Sequence, residues 1–240
     1  GENNDRLGAV LQLATSNVGI PGGSSGAGPW NRLPDPQCGN ISVQLNSLVR
    51  KVPVYEWADA VLKGKSAGYP SEIRVLYNTG GNYIGQSSDT FKSIEAFKKM
   101  DFIVSHDYFM TATCNWSDVV LPVTTFLERE DILFTDTNYL FYSHKVSDPL
   151  GESRNDYKIF SDLSKRLGFE NEFTENRSES EWIDHFLEKS EIEDTHTFKT
   201  TGVYEGKDQI RVGLSDYISD PVKYPPASTA ERYSLSLKTL

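Results

Sequence analysis

Four polar residues that could bind a ligand, His106, Asp107, Thr111 and Thr113, lie within one short segment. The apolar run 102–104 precedes them and predicts a buried strand that ends at Asp107. Ligands of open α/β sheets bind at the carboxyl ends of strands. A carboxylate there can accept two N–H bonds, and a guanine base offers N1–H and a 2-amino group in suitable geometry. Asp107 is therefore a candidate guanine ligand; alternatively, it only caps the turn that follows.

A glycine turn follows a second predicted strand. Ile73 to Tyr77 is rich in β-branched and aromatic residues and runs directly into Asn78-Thr79-Gly80-Gly81-Asn82. Glycines at this point let the backbone pass close to a ligand, and the freed N–H groups can point at phosphate. The turn lacks the third glycine of a dinucleotide fingerprint and the Lys-Ser/Thr of a Walker loop. A strand-ending turn without a ligand is the alternative.

Other kinds of active site find no support in the sequence. No two of the four histidines are spaced at i, i+4, and no Cys–His cluster accompanies them. A nucleophile elbow of the form G-x-S-x-G is absent. Cys38 and Cys114 are too few for a disulfide framework, a zinc site or an iron–sulfur cluster. We predict no catalytic residue and no metal ligand in this chain.

Composition limits the classes of partner. The 240 residues carry a net charge of -10, which argues against nucleic acid because phosphate binding needs a basic surface. No apolar run approaches the roughly 20 residues that a membrane-spanning helix requires, and no signal peptide opens the chain. Because the chain begins Gly1-Glu2-Asn3 without a methionine, we expect it to be a piece of a larger protein.

The elements that would hold these residues form a βαβ unit. Asp89 can cap a helix that turns Phe91, Ile94 and Phe97 inward, between the two strands described above. Strands joined in this way are parallel, and Val119 to Leu121 predicts a third. The fold class predicted is α/β, a mostly parallel sheet flanked by helices in Rossmann-like or flavodoxin-like layers, with a helical and irregular C-terminal extension.

Two helices and an irregular tail follow the sheet. Asp156 is the predicted cap of the first helix and Gly168 its stop. The second, an acidic helix around Trp182, has an apolar stripe and is expected at the surface. We therefore divide the chain into an α/β cofactor-binding domain, residues 1–196, and an irregular extension, residues 197–240, leading towards a further domain.

Long stretches of the chain resemble one known family. HDYFMTATCNWSDVVLPVTTFLERED resembles the third-domain signature of molybdopterin oxidoreductases of the dimethyl sulfoxide reductase type. LATSNVGIPGGSSGAG resembles the family's helix-to-glycine-loop segment, and NTGGNYIGQSSDTFKSIEAFKKMDF its strand, turn and helix. NDYKIFSDLSKRLGFENEFTENRSESEWIDHF resembles the helical segment that follows in the sulfoxide and N-oxide reductase branch. The chain departs from the pattern at Tyr83, where the family often has proline, and at Cys114-Asn115 and Ser117.

The resemblance implies a piece of a large catalytic subunit that holds molybdenum in bis(molybdopterin guanine dinucleotide). This domain would bind one guanine dinucleotide tail. By motif position, Gly80, Gly81 and Asn82 should line the nucleotide, Asp107 should contact the guanine, and Thr111 should lie on the ribose or phosphate side. The family's metal-ligating side chain and cluster cysteines precede this segment and a pterin-binding domain follows it, so the chain alone should be inactive.

The same resemblance implies the wider setting. The parent would reduce sulfoxides or N-oxides in anaerobic respiration, with an iron–sulfur electron-transfer subunit and a membrane anchor subunit as partners, at the outer face of the cytoplasmic membrane. Two other functions stay open from the residues alone. One is a stand-alone nucleotide-binding module without molybdenum, and the other a non-catalytic interaction domain that uses the acidic helix at 179–189.

Overall fold

The computed structural model of this chain describes residues 2–23, 36–41, 52–134, 138–207, 212 and 215–224. Most of the glycine-rich part of LATSNVGIPGGSSGAG, residues 24–28, lies outside them. The helices in this part of the chain are α1 (Glu2–Ala14), α2 (Trp57–Lys63), α3 (Tyr83–Gln86), α4 (Thr90–Lys99), α5 (Asp156–Leu167), α6 (Glu170–Thr174), α7 (Glu179–Glu188), α8 (Thr195–Thr201) and α9 (Ser215–Ser219). The strands are β1 (Val75–Thr79), β2 (Phe102–Asp107), β3 (Val119–Pro122), β4 (Asp131–Phe134), β5 (Tyr139–Ser143) and β6 (Val203–Glu205). None of the described helices is long and apolar enough to cross a membrane.

Strands β1, β2 and β3 form a parallel sheet in that order, and the predicted site residues follow the carboxyl ends of β1 and β2. Val75 of β1 pairs with Phe102, and Val104 of β2 pairs with Val119. Consecutive parallel strands need a crossover, which α3 and α4 provide between β1 and β2. The predicted α/β fold is thereby confirmed. A second three-stranded sheet has the order β4-β5-β6, and these strands were not predicted.

Helix α4 packs Ile94 and Phe97 on the sheet, whereas Phe91, which was predicted to face inward, is 85% exposed. Phe97 of α4 joins Ile84 and Ile103 in one buried cluster. Ala96 joins Ala58 and Val61 of α2 in a second cluster, so α4 is buried on two sides. The predicted cap of this helix is confirmed, because Oδ1 of Asp89 accepts a hydrogen bond from the Lys92 N–H at 3.0 Å.

The predicted cap of α5 is wrong by one residue. The side chain of Asn155, not Asp156, accepts the Lys158 N–H at 2.7 Å. Both residue types cap helices well, so the local sequence alone does not choose between them. The consequence is that the Asp156 carboxylate, in the first turn of α5, is free for another partner. The helix ends as predicted at Gly168, whose φ of 84° closes the last turn.

The chain separates into two compact units. One comprises Gly1–Pro36, Phe134–Leu140 and Tyr204–Leu240, and the other Gln37–Leu133 and Phe141–Val203. The parallel sheet, α4 and α5 all belong to the second unit. The predicted division between residues 196 and 197 falls inside α8, and as a functional division it stays a prediction.

Candidate functional site

A cavity of about 340 Å³ opens at the carboxyl edge of the parallel sheet. Its volume is in the range of small-molecule sites, about 300–1,000 Å³. The lining residues come from the ends of β1 and β2, the residue after β3, and the start of α5: Thr79, Gly80, His106, Asp107, Tyr108, Val123, Asp156 and Phe160. The cavity therefore lies where ligands bind in open α/β sheets.

Asp107, the last residue of β2, presents its carboxylate to this cavity. Oδ1 accepts a hydrogen bond from the Phe109 N–H at 3.2 Å, and Oδ2 lies 3.5 Å from the Thr111 hydroxyl. A carboxylate has about four acceptor sites, so both oxygens keep capacity for a ligand. Asp107 thus has the turn contact of a cap and also the access that a ligand contact needs.

The two threonines build the turn after β2. The Thr111 hydroxyl oxygen accepts a hydrogen bond from the Cys114 N–H at 3.3 Å. Thr113 is fully buried; its hydroxyl donates to Oδ1 of Asn82 and accepts the N–H of Ile84, each at 3.0 Å. Neither threonine lines the cavity. Their observed contacts fix the backbone that carries Asp107.

Of the three residues predicted in the glycine turn, Gly80 reaches the cavity. Its φ is 72°, and an added Cβ would meet no atom within 4 Å, so the space above it is open. Its N–H donates to the carbonyl of His106 at 3.0 Å, and the Gly81 N–H donates to Oδ1 of Asn78 at 3.1 Å. The expectation that this turn leaves N–H groups for phosphate is wrong for these two residues. Oδ1 of Asn82 is likewise engaged inside the chain, with Gly85 N–H and Thr113.

The sequence identified His106 as a candidate residue but not its hydrogen-bond partners, Asp156 and Tyr77. His106 is 1% exposed. Its Nδ1 lies 2.7 Å from Oδ1 of Asp156, and its Nε2 lies 2.9 Å from the Tyr77 hydroxyl. Burial raises the pKa of the Tyr77 hydroxyl, and the negative charge of Asp156 adds to the shift, so Tyr77 stays a hydrogen-bond donor at neutral pH.

The start of α5 is fixed to the end of β3, which brings Asp156 to the cavity. The Arg154 N–H donates to the Pro122 carbonyl and the Thr124 N–H to the Arg154 carbonyl, both at 3.2 Å. These bonds form a parallel bridge between Val123 and Arg154. The sequence contains one indication that Asp156 has another role. Asn155 and Asp156 are both good capping residues, and because only one of them can cap α5, the other is left for a different partner.

The charges of the cavity favour a ligand that donates hydrogen bonds. Among the described residues that line it are two carboxylates and neither lysine nor arginine. Like charges would disfavour phosphate here, whereas a base edge with N–H groups matches two carboxylate acceptors. Within the described residues, no group of three or more His, Cys, Asp or Glu side chains is arranged to hold a metal ion.

A second cavity, of about 480 Å³, is less suited to a ligand. Arg129, Lys145, Arg154 and Lys158 line it together with three glutamates. Each of these cations already has a carboxylate partner: Asp131 for Arg129, Asp148 for Lys145, and Asp162 for both Arg154 and Lys158. The cations are therefore part of a surface ion-pair network rather than an unfilled anion site.

Comparison with known proteins identifies relatives across almost the whole chain. The family described as molybdopterin oxidoreductase matches residues 5–166. Dimethyl sulfoxide reductase DmsA of Haemophilus influenzae is 27% identical over 99% of this chain and 33% of its own length. Trimethylamine-N-oxide reductase of Vibrio cholerae is 32% identical over 76% of this chain and 26% of its own length.

A solved structure shares the fold. Acetylene hydratase from Pelobacter acetylenicus aligns with a TM-score of 0.53 and 21% identity, over 62% of this chain and 21% of its own. The chain thus spans about a third or less of the length of these relatives. Because the family match includes the parallel sheet, the cavity and nearly all of α5, the chain belongs to the molybdopterin oxidoreductase family.

Proposed function

We propose that this chain binds one guanine dinucleotide tail of a bis(molybdopterin guanine dinucleotide) molybdenum cofactor. The observation that carries the proposal is the Asp107 carboxylate at the carboxyl end of β2, in a cavity whose described lining has two carboxylates and no lysine or arginine. A molybdopterin cofactor follows from the family. The guanine form suits this cavity because its carboxylates accept hydrogen bonds and a guanine edge donates them.

The residues present fit such a group. Asp107 can accept the N1–H and 2-amino group of guanine together. The open space above Gly80 lets a planar base or its sugar approach the backbone without meeting a side chain. Thr111 supports Asp107 from the turn side. That Gly81 and Asn82 line the nucleotide, and that Thr111 lies on its ribose or phosphate side, stays a prediction.

The complete protein is proposed to reduce a sulfoxide or N-oxide, since the relatives named above are a dimethyl sulfoxide reductase and a trimethylamine-N-oxide reductase. When bound, the molybdenum cofactor would supply the two-electron chemistry of oxygen-atom removal. The residues of this chain would bind and orient the cofactor's nucleotide end, and none of them is assigned a catalytic role. An iron–sulfur subunit, a membrane anchor subunit and a position at the outer face of the cytoplasmic membrane are part of the same proposal.

Exchange of Asp107 for asparagine tests the guanine role. An asparagine amide offers one acceptor and one donor in place of two acceptors, so it opposes the 2-amino group of guanine and matches the 2-oxo group of xanthine. In the cofactor-free complete protein, Asp107→Asn should weaken binding of guanosine diphosphate by at least about tenfold, from the 1.5–3 kcal/mol of one charge-assisted bond. Binding of xanthosine diphosphate should improve, as measured by titration calorimetry.

The matched control is Asp101→Asn, at the amino end of the same strand. Asp101 is exposed and pairs with Arg74, away from the cavity. This variant should bind guanosine diphosphate like the unsubstituted protein. Equal affinity of the unsubstituted protein for guanosine, adenosine and xanthosine diphosphates would contradict the proposed function.

The interaction-domain alternative finds no supporting contact. Trp182, Ile183 and Leu187 of α7 are at most 7% exposed, so the apolar stripe faces the interior. The indole Nε1 of Trp182 donates to the Tyr157 hydroxyl at 3.1 Å, and Arg177 lies over the ring. Trp182 is thus part of the core, and the acids of α7 form a solvated face.

A further inference from the structure

His106 is a buried titratable side chain that the guanine contact itself does not use. It is 1% exposed, yet it lines the cavity beside Asp107. Its ring packs edge-on against Tyr77 with centroids 5.2 Å apart, and in a tilted arrangement against Phe160 at 5.3 Å. Packing on two aromatic neighbours fixes the plane of the imidazole, and with it the direction of both ring nitrogens.

The hydrogen bond from His106 to Asp156 has a defined direction. The Asp156 carboxylate only accepts, so Nδ1–H donates to Oδ1 across 2.7 Å. In a neutral ring with its hydrogen on Nδ1, Nε2 would accept from the Tyr77 hydroxyl across 2.9 Å. The Asp156 carboxylate thus places the hydrogen of Nδ1, and the Tyr77 hydroxyl, which can donate or accept, satisfies Nε2.

Asp156 is the partner of His106 that a ligand can reach. Its side chain is 48% exposed, in the first turn of α5, where a carboxylate would otherwise move freely over the surface. His106 holds Oδ1, and no hydrogen bond to Oδ2 comes from the part of the chain that the structure describes. One oxygen is therefore fixed and the other is available to the cavity.

We propose that His106 is a positioning residue that holds Asp156 in place as a second acceptor for the guanine nucleotide. The proposal rests on the proposed function, since it names a further contact of the same site. Asp107 would accept from the base edge, and Oδ2 of Asp156 would accept a second donor of the nucleotide, an amino N–H or a sugar O–H. The Asp156 carboxylate, which only accepts, selects the Nδ1–H form that holds it.

Two substitutions of His106 separate positioning from bulk. His106→Leu removes the donor to Asp156, whereas His106→Asn retains an amide N–H near the position of Nδ1. In the cofactor-free complete protein, His106→Leu should weaken guanosine diphosphate binding roughly tenfold, as expected for one charge-assisted hydrogen bond. His106→Asn should bind within about threefold of the unsubstituted protein, and His196→Leu, on the exposed start of α8, should bind equally well.

A double substitution tests whether His106 acts through Asp156. In the Asp156→Ala background, His106→Leu should cause no further loss of affinity, because the group that it positions is gone. Inosine diphosphate, which lacks the 2-amino group, and 2′-deoxyguanosine diphosphate identify the donor. Asp156→Ala should leave the affinity unchanged for whichever of the two lacks that donor.

A spectroscopic signature does not depend on ligand binding. The imidazole ¹⁵N shifts of His106 should report a hydrogen on Nδ1, and Asp156→Ala or Tyr77→Phe should alter those shifts. This measurement, with the comparison of His106→Asn and Asp156→Ala, decides the matter if His106→Leu does not fold. Unchanged affinity in folded His106→Leu, or a His106→Asn variant as weak as His106→Leu, overturns the positioning role alone. Lack of guanosine diphosphate binding by the unsubstituted protein overturns the proposed function and the positioning role together.

Discussion

Asn78 ties the glycine turn to the sheet from within the core. It is 3% exposed; its amide donates to the Gly81 carbonyl at 2.7 Å and to the Ser105 hydroxyl at 3.2 Å. Its Oδ1 accepts the Gly81 N–H. Every polar atom of this side chain is thus satisfied, which holds Gly80 at the edge of the cavity. A buried polar group of this kind is costly to break, because its partners lose their hydrogen bonds without regaining water.

We predict that Asn78→Ala lowers the free energy of unfolding by about 1–3 kcal/mol, the range for unsatisfied buried partners. Urea titration followed by circular dichroism measures the change. Asn115→Ala is the matched control, since Asn115 is exposed and makes its observed contact through the backbone. A surface change of this kind should stay within about 0.5 kcal/mol. Equal stability of the two variants would contradict the role of Asn78.

At the same scale, Asp107 and Asp156 differ in how far sequence could identify them. Asp107 directly follows a β-branched strand, so its place at the sheet edge is a local property. Asp156 meets His106, which is 50 residues away, and it does so only because Asn155 takes the helix cap. The prediction of free N–H groups in the glycine turn was wrong for a related reason. The Gly80 N–H donates to the carbonyl of His106, and the Gly81 N–H donates to the side chain of Asn78.

At the scale of elements, Glu128 joins the segment after β3 to the approach to α5. Its carboxylate accepts from the N–H and hydroxyl of Thr125 at 2.8 and 3.0 Å, and from the Leu150 N–H at 2.8 Å. The hydrogen bond from the Thr125 N–H, with that from Leu150, holds the pKa of Glu128 below its ordinary value. The folded state therefore prefers the ionised form of this side chain.

The pH dependence follows from that sign. A lowered pKa contributes stability that is fully present above the unfolded value, about 4.3 for glutamate, and is lost as pH falls through the folded value. The stability difference between the unsubstituted protein and Glu128→Gln should thus be largest at neutral pH and shrink below about pH 4. Urea unfolding between pH 7 and pH 3 measures it, with exposed Glu152→Gln as the control. A difference that is constant with pH would rule out this linkage.

The elements that were predicted correctly are those whose sequence signals lie within the element or next to it. The segment from β1 through α4 to β2 has apolar strands, an aspartate cap and terminal lysines within about thirty residues, and each signal acts on its own neighbours. Strands β4 and β5 are neighbours both in the chain and in the sheet, yet they were not predicted, because residues 131–143 mix aromatic and polar types. Only the place of β6 beside β5 depends on a segment that is distant in the sequence.

At the scale of the whole molecule, the proposed function assigns nucleotide binding, and not metal chemistry, to this chain. The chain spans 33% of the length of its dimethyl sulfoxide reductase relative from Haemophilus influenzae. Its cavity suits the guanine end of a cofactor, and its described residues hold no cluster of metal-ligating side chains. Under the proposed function, the guanine site would anchor one end of the dinucleotide, and the molybdenum end would be held by other parts of the complete protein.

We therefore predict that the 240-residue chain, purified alone, carries no stoichiometric molybdenum and reduces no dimethyl sulfoxide, yet binds guanosine diphosphate. Elemental analysis by mass spectrometry, a reduced-viologen assay and calorimetry measure the three properties. The complete protein, made in a host that synthesises the cofactor, should contain molybdenum, and Asp107→Asn should lower its molybdenum content relative to Asp101→Asn. The reason is that loss of the guanine contact weakens retention by about 1.5–3 kcal/mol for each charge-assisted bond removed. Turnover by the 240-residue chain alone would contradict the prediction that this chain binds the nucleotide without metal chemistry. Full molybdenum occupancy in Asp107→Asn would contradict the guanine contact.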